Sequence, residues 1–375
     1  MPFGSEGVED TIGLALSGGG FRATLFHIGS LRRLLELSVL QRISRISSVS
    51  GGSITSGVLA LAWNELRDAG FDLDTFIRRV EMPLREFCRR RVDVRAAGEG
   101  LLLPFKRAGD AVADEYRRHL FGTKTLQDLP FSPNFIFMAT NLQTGRGVRF
   151  SKPYLGDYLV GLVRSPTIPL ATAIAASSAF PPFLSPVVLE EPGRFEAVEG
   201  SLFHDRPEYT KVLWLTDGGV YDNLGLQTVW NRCRTVLASD AGAPFAFVEG
   251  AETDWVRQTL RALDIATDQA RGLRKLALVD DYQRKERGGA YWGIDTDIDG
   301  YPIADALPCD EALVAPLAGI RTRLSPFDDA EQGTLINWGY ALCDAALRSF
   351  GANLVPGAVR PAEWPAPQQA LGILS

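Results

Sequence analysis

The chain has 375 residues, enough for one large α/β domain with insertions or for two domains. Hydrophobic residues make up 46% and charged residues 22%, an ordinary balance for a soluble globular protein. The net charge of −6 is opposite in sign to that of a typical nucleic-acid binder, so no nucleic-acid polymer is expected as a partner.

The first ten residues, MPFGSEGVED, have neither the basic nor the apolar region of a secretory signal, and no run of 18 apolar residues occurs. The expected setting is the cytoplasm, with any membrane met from the side, peripherally at its inner face. The cysteines, Cys88, Cys233, Cys309 and Cys343, lie far apart, with no CxxC pair and no histidine cluster. They read as single buried thiols in a reducing compartment, and neither a metal nor a cofactor is expected.

In chain order, Thr11–Leu16 reads as a short buried strand, followed by the glycine run Gly18–Gly20. Phe21–Leu37 carries Leu25, Ile28, Leu31, Leu34 and Leu35 at helical spacing. A second strand, Ile43–Val49, ends at Ser50-Gly51-Gly52, and a second helix runs from Ser53 to about Leu66, with Gly70 as its stop. Two successive strand–turn–helix units predict a mostly parallel sheet with crossover helices, an α/β fold. Residues from about 71 to 130 are helical in pattern and rich in arginine, and they read as an insertion. Asn134–Ala139 is the next strand. Ala171–Phe180 is a helix of small residues stopped by Pro181-Pro182. Lys211–Thr216 and Thr235–Ser239 are strands ending at Asp217 and Asp240. The expected organisation is a catalytic core over 10–245, a mostly helical extension over 246–355 packed on it, and a loosely ordered Pro-rich tail over 356–375.

Three stretches could carry chemistry. Ser50, between a hydrophobic strand and a helix and followed by glycines, fits a nucleophile elbow, with Ser48 where G-x-S-x-G has its first glycine. A serine-rich loop that merely caps a helix would look similar. The loop Gly18-Gly19-Gly20 opens a helix, so its backbone N–H groups can hold a phosphate or a developing oxyanion. Gly18, Gly20 and Ala23 also satisfy the dinucleotide pattern G-x-G-x-x-G/A, but the next strand ends in Val49-Ser50-Gly51 instead of the ribose-binding acid. Asp217-Gly218-Gly219 closes a hydrophobic strand and would place a carboxylate at the same sheet edge as Ser50.

The three histidines are His27, His119 and His204. None follows Asp217, so Asp217 cannot be the middle member of a Ser–acid–His series in chain order. His204 with an earlier acid is formally open. A carboxylate acting directly as the base of Ser50 is the simpler arrangement.

These residues resemble the patatin-like phospholipases, whose catalytic core is shared with cytosolic phospholipase A2. The resemblance rests on ordered blocks: GLALSGGGFRA (13–23), SSVSGGS (47–53), ATNLQTG (139–145), AASSAFPPFLSP (175–186) and LTDGGVYDNLG (215–225). It implies a patatin-like three-layer fold and a lipid acyl hydrolase with a Ser–Asp dyad and no metal. On this chain Ser50 would be the nucleophile and Asp217 the base. Gly18, Gly19, Gly20 and Gly51 would form the oxyanion hole. Arg22, matching the arginine of GGGxR, would stabilise the oxyanion or the lipid phosphate. AYWGI (290–294) and LINWGYALCDAALR (335–348) resemble bacterial patatin-like proteins. Some of those are effectors activated by cyclic nucleotides, which would add a small-molecule activator to a phospholipid substrate and a membrane surface as partners. An esterase or thioesterase for smaller acyl groups, and a non-catalytic nucleotide or anion sensor, are the competing readings. Leu101, Leu102, Leu103 and Phe105, beside Lys106 and Arg107, form an apolar tip with a basic rim suited to an anionic surface.

Overall fold

The computed structural model describes residues 7–92, 108–250, 253–356 and 360–372. The apolar tip at Leu101–Phe105 with Lys106 and Arg107 lies outside them.

Ten strands form one sheet: β1 (Glu9–Leu16), β2 (Ile43–Val49), β3 (Asn134–Asn141), β4 (Arg146–Phe150), β5 (Tyr154–Asp157), β6 (Gly161–Arg164), β7 (Val187–Glu190), β8 (Val212–Asp217), β9 (Cys233–Asp240) and β10 (Gly288–Gly293). The order is β10-β9-β1-β2-β3-β4-β5-β6, with β8 also on β3 and β7 on β8. From β10 to β3 every pairing is parallel, and beyond β3 every pairing is antiparallel. Alternation along the strands splits the core. Leu14, Leu16 and Leu237 enter the main hydrophobic cluster, whereas Ala15, Val236 and Ala238 face a smaller one with Leu224, Leu226, Val229 and Leu278. The sheet is therefore covered on both faces, giving the three layers the sequence predicts.

The helices that matter for the site are α1 (Gly20–Glu36), α2 (Gly51–Asp68), α3 (Leu170–Ser178), α4 (Trp255–Gln283) and α5 (Asp329–Phe350). The described part of the 71–130 insertion is helical, with pieces at Leu73–Phe76, Met82–Cys88 and Ala108–Tyr116.

Much of what frames the sheet comes from the C-terminal third. The strand β10, in a stretch read from the sequence as mostly helical, extends the sheet as the parallel neighbour of β9. Helix α5 packs along α1 at very close range. A Cβ on Gly29 would lie 1.9 Å from the Ile336 carbonyl oxygen, and one on Gly339 1.9 Å from that of Phe26. Beside this crossing the fully buried Arg33 donates to Asp344 through Nε at 2.8 Å and Nη2 at 2.6 Å. Residues 360–372 are tied down as well: Asn337 Nδ2 donates to the carbonyls of Ala366 and Gln369, each at 2.8 Å, and Leu371 is buried. The helix α4 is held to the other face by Leu278 and by Arg271, which pairs with the buried Asp240 at 2.7 Å.

Candidate active site

Register along β3 decides which residues meet. On one flank, β2 pairs Arg45–Val49 with Asn134–Met138, and it ends there because the chain turns at Ser50. The next positions on that flank, Ala139–Asn141, are taken by β8 running the opposite way, with Asp217 against Ala139. The other flank of the same residues is occupied by β4. Strands β2 and β8 thus end against one another, and Ser50 and Asp217 face the same gap.

Ser50 has φ 51° and ψ −120°, a left-handed conformation that costs a non-glycine residue about 1–3 kcal/mol. The turn is secured by the Ser50 N–H, which donates to both the carbonyl and the Oγ of Ser177 at 3.1 Å. Ser48, the departure from the glycine pattern, is buried away from the turn, 2.7 Å from Ser56 Oγ and 3.1 Å from Ser53 Oγ. The elbow therefore tolerates serine there because the hydroxyl has partners.

Asp217 is buried. Its N–H donates to the Ala179 carbonyl at 3.0 Å, its carbonyl accepts from Thr140 Oγ1 at 2.8 Å, and its Oδ1 accepts from the Gly219 N–H at 2.6 Å. Its Oδ2 has no hydrogen-bond partner among the described residues. Burial pushes the carboxyl up to about 7, opposed by the Gly219 amide and the Ser50 hydroxyl. The hydroxyl thus stands near enough to act on the carboxyl without closing a hydrogen bond of standard geometry, a bond of the kind that often tightens only with substrate.

Two helix N-termini open beside this pair. Gly19 and Ser50 hold the N-cap positions of α1 and α2, and neither helix has a side-chain cap or an acidic residue in its first turn. The N–H groups of Gly19, Gly20, Gly51 and Gly52 donate to no group among the described residues. The two ends touch: a Cβ on Gly51 would lie 2.0 Å from the Gly20 carbonyl oxygen. These amides, at two adjoining helix N-termini, suit a negative charge.

Two expected members of this anion site have N–H donors engaged by backbone carbonyls. The Gly18 N–H is taken by the Asn223 carbonyl at 2.9 Å, so it is not a free donor. Arg22 is fully buried. Its Nη1 donates to the carbonyls of Ala318 at 2.7 Å and Ile320 at 2.8 Å, and its Nη2 to that of Ala241 at 2.6 Å. Burial, helped by the nearby Arg271 charge, lowers it to about 10. Its Nη donors clamp the segment 318–320 through these carbonyls, while its buried Nε has no hydrogen-bond partner among the described residues.

That segment walls the glycine loop. The Phe21 N–H donates to the Arg323 carbonyl at 3.3 Å, and a Cβ on Gly20 would lie 1.7 Å from the Thr322 carbonyl oxygen. With φ 57° as well, position 20 admits only glycine. Sequence reasoning also missed Ser177. Its carbonyl accepts from Ser50 N–H at 3.1 Å and from Gly218 N–H at 3.2 Å, joining both turns, while its Oγ donates to the Met138 carbonyl at 2.6 Å. The signal available was the run AASSAF, read as a helix of small residues and as part of a resemblance block, with no role given to Ser177.

Among the described residues, no hydrogen bond joins a histidine to Ser50 or Asp217. His27 is buried between Ser239 Oγ at 2.9 Å and the Ser17 carbonyl at 3.0 Å, and burial lowers it to about 4, so it is neutral at pH 7. His119 lies beside Glu115 at 3.4 Å.

A mixed α/β sheet with a serine elbow and a buried carboxyl at the ends of abutting strands defines a hydrolase-like class of fold and site. The sequence profile of the patatin-like phospholipases matches residues 14–230, and the chain belongs to that family. No curated protein sequence matches it. Among solved structures it is similar to human GIVD cytosolic phospholipase A2 in complex with methyl gamma-linolenyl fluorophosphonate, with TM-score 0.51 and 16% identity, covering 92% of this chain and 58% of that one. Human GIVD cytosolic phospholipase A2 gives TM-score 0.50 and 14% identity over 96% of this chain and 60% of that one. The likeness is one of fold, and the chain spans about six-tenths of the length of these structures.

Proposed function

We propose that the chain is a serine acyl hydrolase of the phospholipase A type, cleaving lipid carboxylic esters through Ser50 and Asp217. The observation that carries this reading is the buried Asp217, its carboxyl pushed to about 7, facing Ser50 beside four backbone amides that have no partner among the described residues. A carboxyl near neutrality can take a proton from a hydroxyl and return it, which a carboxylate at its usual value does poorly.

Asp217 accepts the Ser50 proton as Oγ attacks the ester carbonyl carbon. The oxyanion settles on the amides of Gly19, Gly20 and Gly51, each worth roughly 3 kcal/mol by analogy with other hydrolases. Collapse expels the alcohol, which takes the proton from Asp217, and leaves an acyl-Ser50. Water then releases the fatty acid with Asp217 as base again. The chemistry is complete with side chains and amides.

A lipid in place of a small ester is favoured by the loop after α3. Phe180 and Phe183 are 43% and 72% exposed, immediately beyond the residues that hold Ser50 and Asp217. An aromatic edge beside the gap suits acyl chains and a shallow, peripheral approach to a bilayer. No described helix is long and apolar enough to cross a membrane.

The test is labelling with a fluorophosphonate followed by peptide mapping, together with mass analysis of lipid products. Ser50 is expected to be the labelled serine, and Ser50→Ala is expected to fold and to release no fatty acid. Label on Ser48 or Ser53, or hydrolysis by the alanine variant, overturns the assignment.

A further inference from the structure

We propose that the side-chain carboxamide of Asn223 holds the hydrolytic water against Asp217 while the acyl group is released from Ser50. Asn223 is then a positioning residue for the second half of the reaction, and the inference rests on the Ser50–Asp217 reading above.

Asn223 follows the short helical turn Gly219–Asp222 that leads out of β8, and its backbone is pinned by the Gly18 N–H. Its side chain occupies a space left by three glycines. A Cβ on Gly18 would lie 2.4 Å from Asn223 Oδ1, one on Gly219 2.7 Å from the same atom, and one on Gly242 3.0 Å from Nδ2. Any side chain at those positions would displace the carboxamide. The same construction locates it in the site. The Gly18 Cβ would also be 3.2 Å from Ser50 Cβ, and the Gly219 Cβ 3.0 Å from Asp217 Oδ1. Adding the legs puts Asn223 Oδ1 at most about 5.6 Å from Ser50 Cβ and at most about 5.7 Å from Asp217 Oδ1, and a water bridging two oxygens spans up to about 5.6 Å. Asn223 is half-buried, and its carboxamide makes no hydrogen bond among the described residues.

The residue type fits the task. A second carboxylate here would raise Asp217 further and oppose its ionisation, and a cation would lower it and weaken the base. A neutral carboxamide does neither, and its oxygen accepts one O–H of a water whose other O–H points to Asp217. In deacylation the water oxygen attacks the acyl carbonyl carbon, one water proton passes to Asp217, and the carbonyl electrons move to the oxyanion. On collapse the C–O bond to Ser50 breaks, Oγ takes the proton from Asp217, and the carboxylic acid leaves. Acylation uses the Ser50 hydroxyl itself and needs no water, so Asn223 separates the two halves.

The experiment measures the halves apart in the full chain. Acylation is followed as the rate of fluorophosphonate labelling of Ser50. Deacylation is followed as the lifetime, by intact mass, of the acyl-enzyme formed from p-nitrophenyl butyrate. Asn223→Ala is expected to label within ~3-fold of wild type while its acyl-enzyme lives ~10- to ~100-fold longer, the scale on which misplacing a reactant acts. Steady-state kcat and KM are expected to fall together, leaving kcat/KM unchanged. Asn223→Asp is isosteric and guards against misfolding of the alanine variant. It is expected to shift the pH profile of deacylation upward. Equal slowing of labelling and deacylation, or an unchanged acyl-enzyme lifetime in both variants, overturns the role of Asn223. Failure of wild type to label at Ser50 overturns the underlying reading instead.

Discussion

Ser50 and Asp217 stand at the abutting ends of β2 and β8, which share one flank of β3: Val49 pairs with Met138, and Asp217 with the next residue, Ala139. The relationship is stiffened by Ser177, whose carbonyl receives the N–H groups of both turns and whose Oγ reaches Met138. Ser177→Ala keeps the carbonyl but leaves the buried Met138 carbonyl and Ser53 hydroxyl short of a partner. Loss of such a bond costs about 1–3 kcal/mol. The expected outcome is a lower Tm in a thermal melt, with slower fluorophosphonate labelling of Ser50 under conditions where the variant is fully folded. Unchanged labelling in the folded variant would show that the elbow does not need the side chain.

On the proposed mechanism, Asp217 is expected to make both activity and stability depend on pH. As the base it must be ionised, so kcat/KM for a soluble ester is expected to rise from pH 5 and level off above about 7. Stability runs the other way. Below about pH 4 the carboxyl is protonated in both states and contributes no difference. Between about 4 and 7 the unfolded chain loses the proton that the folded chain keeps, so stability falls by up to about 1.4 kcal/mol per pH unit, and above 7 the loss is complete. Asp217→Asn is expected to lose at least ~10²-fold in turnover and to gain in Tm over wild type as pH rises from 4 to 8. Replacing His27, His119 or His204 by Gln is expected to leave the pH profile in place. A rate flat between pH 5 and 8, or a histidine variant as inactive as Asp217→Asn, would overturn a carboxylate base.

Arg22 is expected to behave as a structural clamp. Arg22→Lys cannot reach Ala241, Ala318 and Ile320 together and leaves buried carbonyls unpaired, each at about 1–3 kcal/mol. Thermal melts should show a marked fall in Tm, while turnover per folded molecule stays within an order of magnitude. A large fall in kcat at unchanged Tm would restore the arginine to the anion site.

Phe183 offers a test of lipid approach. Phe183→Ser removes a 72% exposed ring and should cost little stability. Sedimentation with anionic vesicles is expected to weaken and hydrolysis of vesicular lipid to slow, with soluble-ester turnover unchanged. Equal loss on both substrates would instead make the ring part of the substrate pocket.

The sequence by itself marked the elements to which the proposed chemistry is assigned. A buried strand running into Ser50-Gly51-Gly52, a glycine run opening a helix, and a hydrophobic strand ending at Asp217 are local patterns, each written within about ten residues. So was the absence of a histidine after Asp217. Tertiary structure decided the partnerships. Strand β8 turns antiparallel against the flank β2 vacates, β10 joins the sheet from the C-terminal third, and the short strands β4 to β7 are too brief to announce themselves by alternation. Ser177 bridges both turns, and Arg22, 296 residues before its partner Ala318, is captured by that carbonyl. Hydrophobic period and turn chemistry report only what a residue's immediate neighbours require. Which strand lies beside which, and in what register, follows from packing the whole sheet between its two layers, and only that arrangement brings a donor to an acceptor hundreds of residues away.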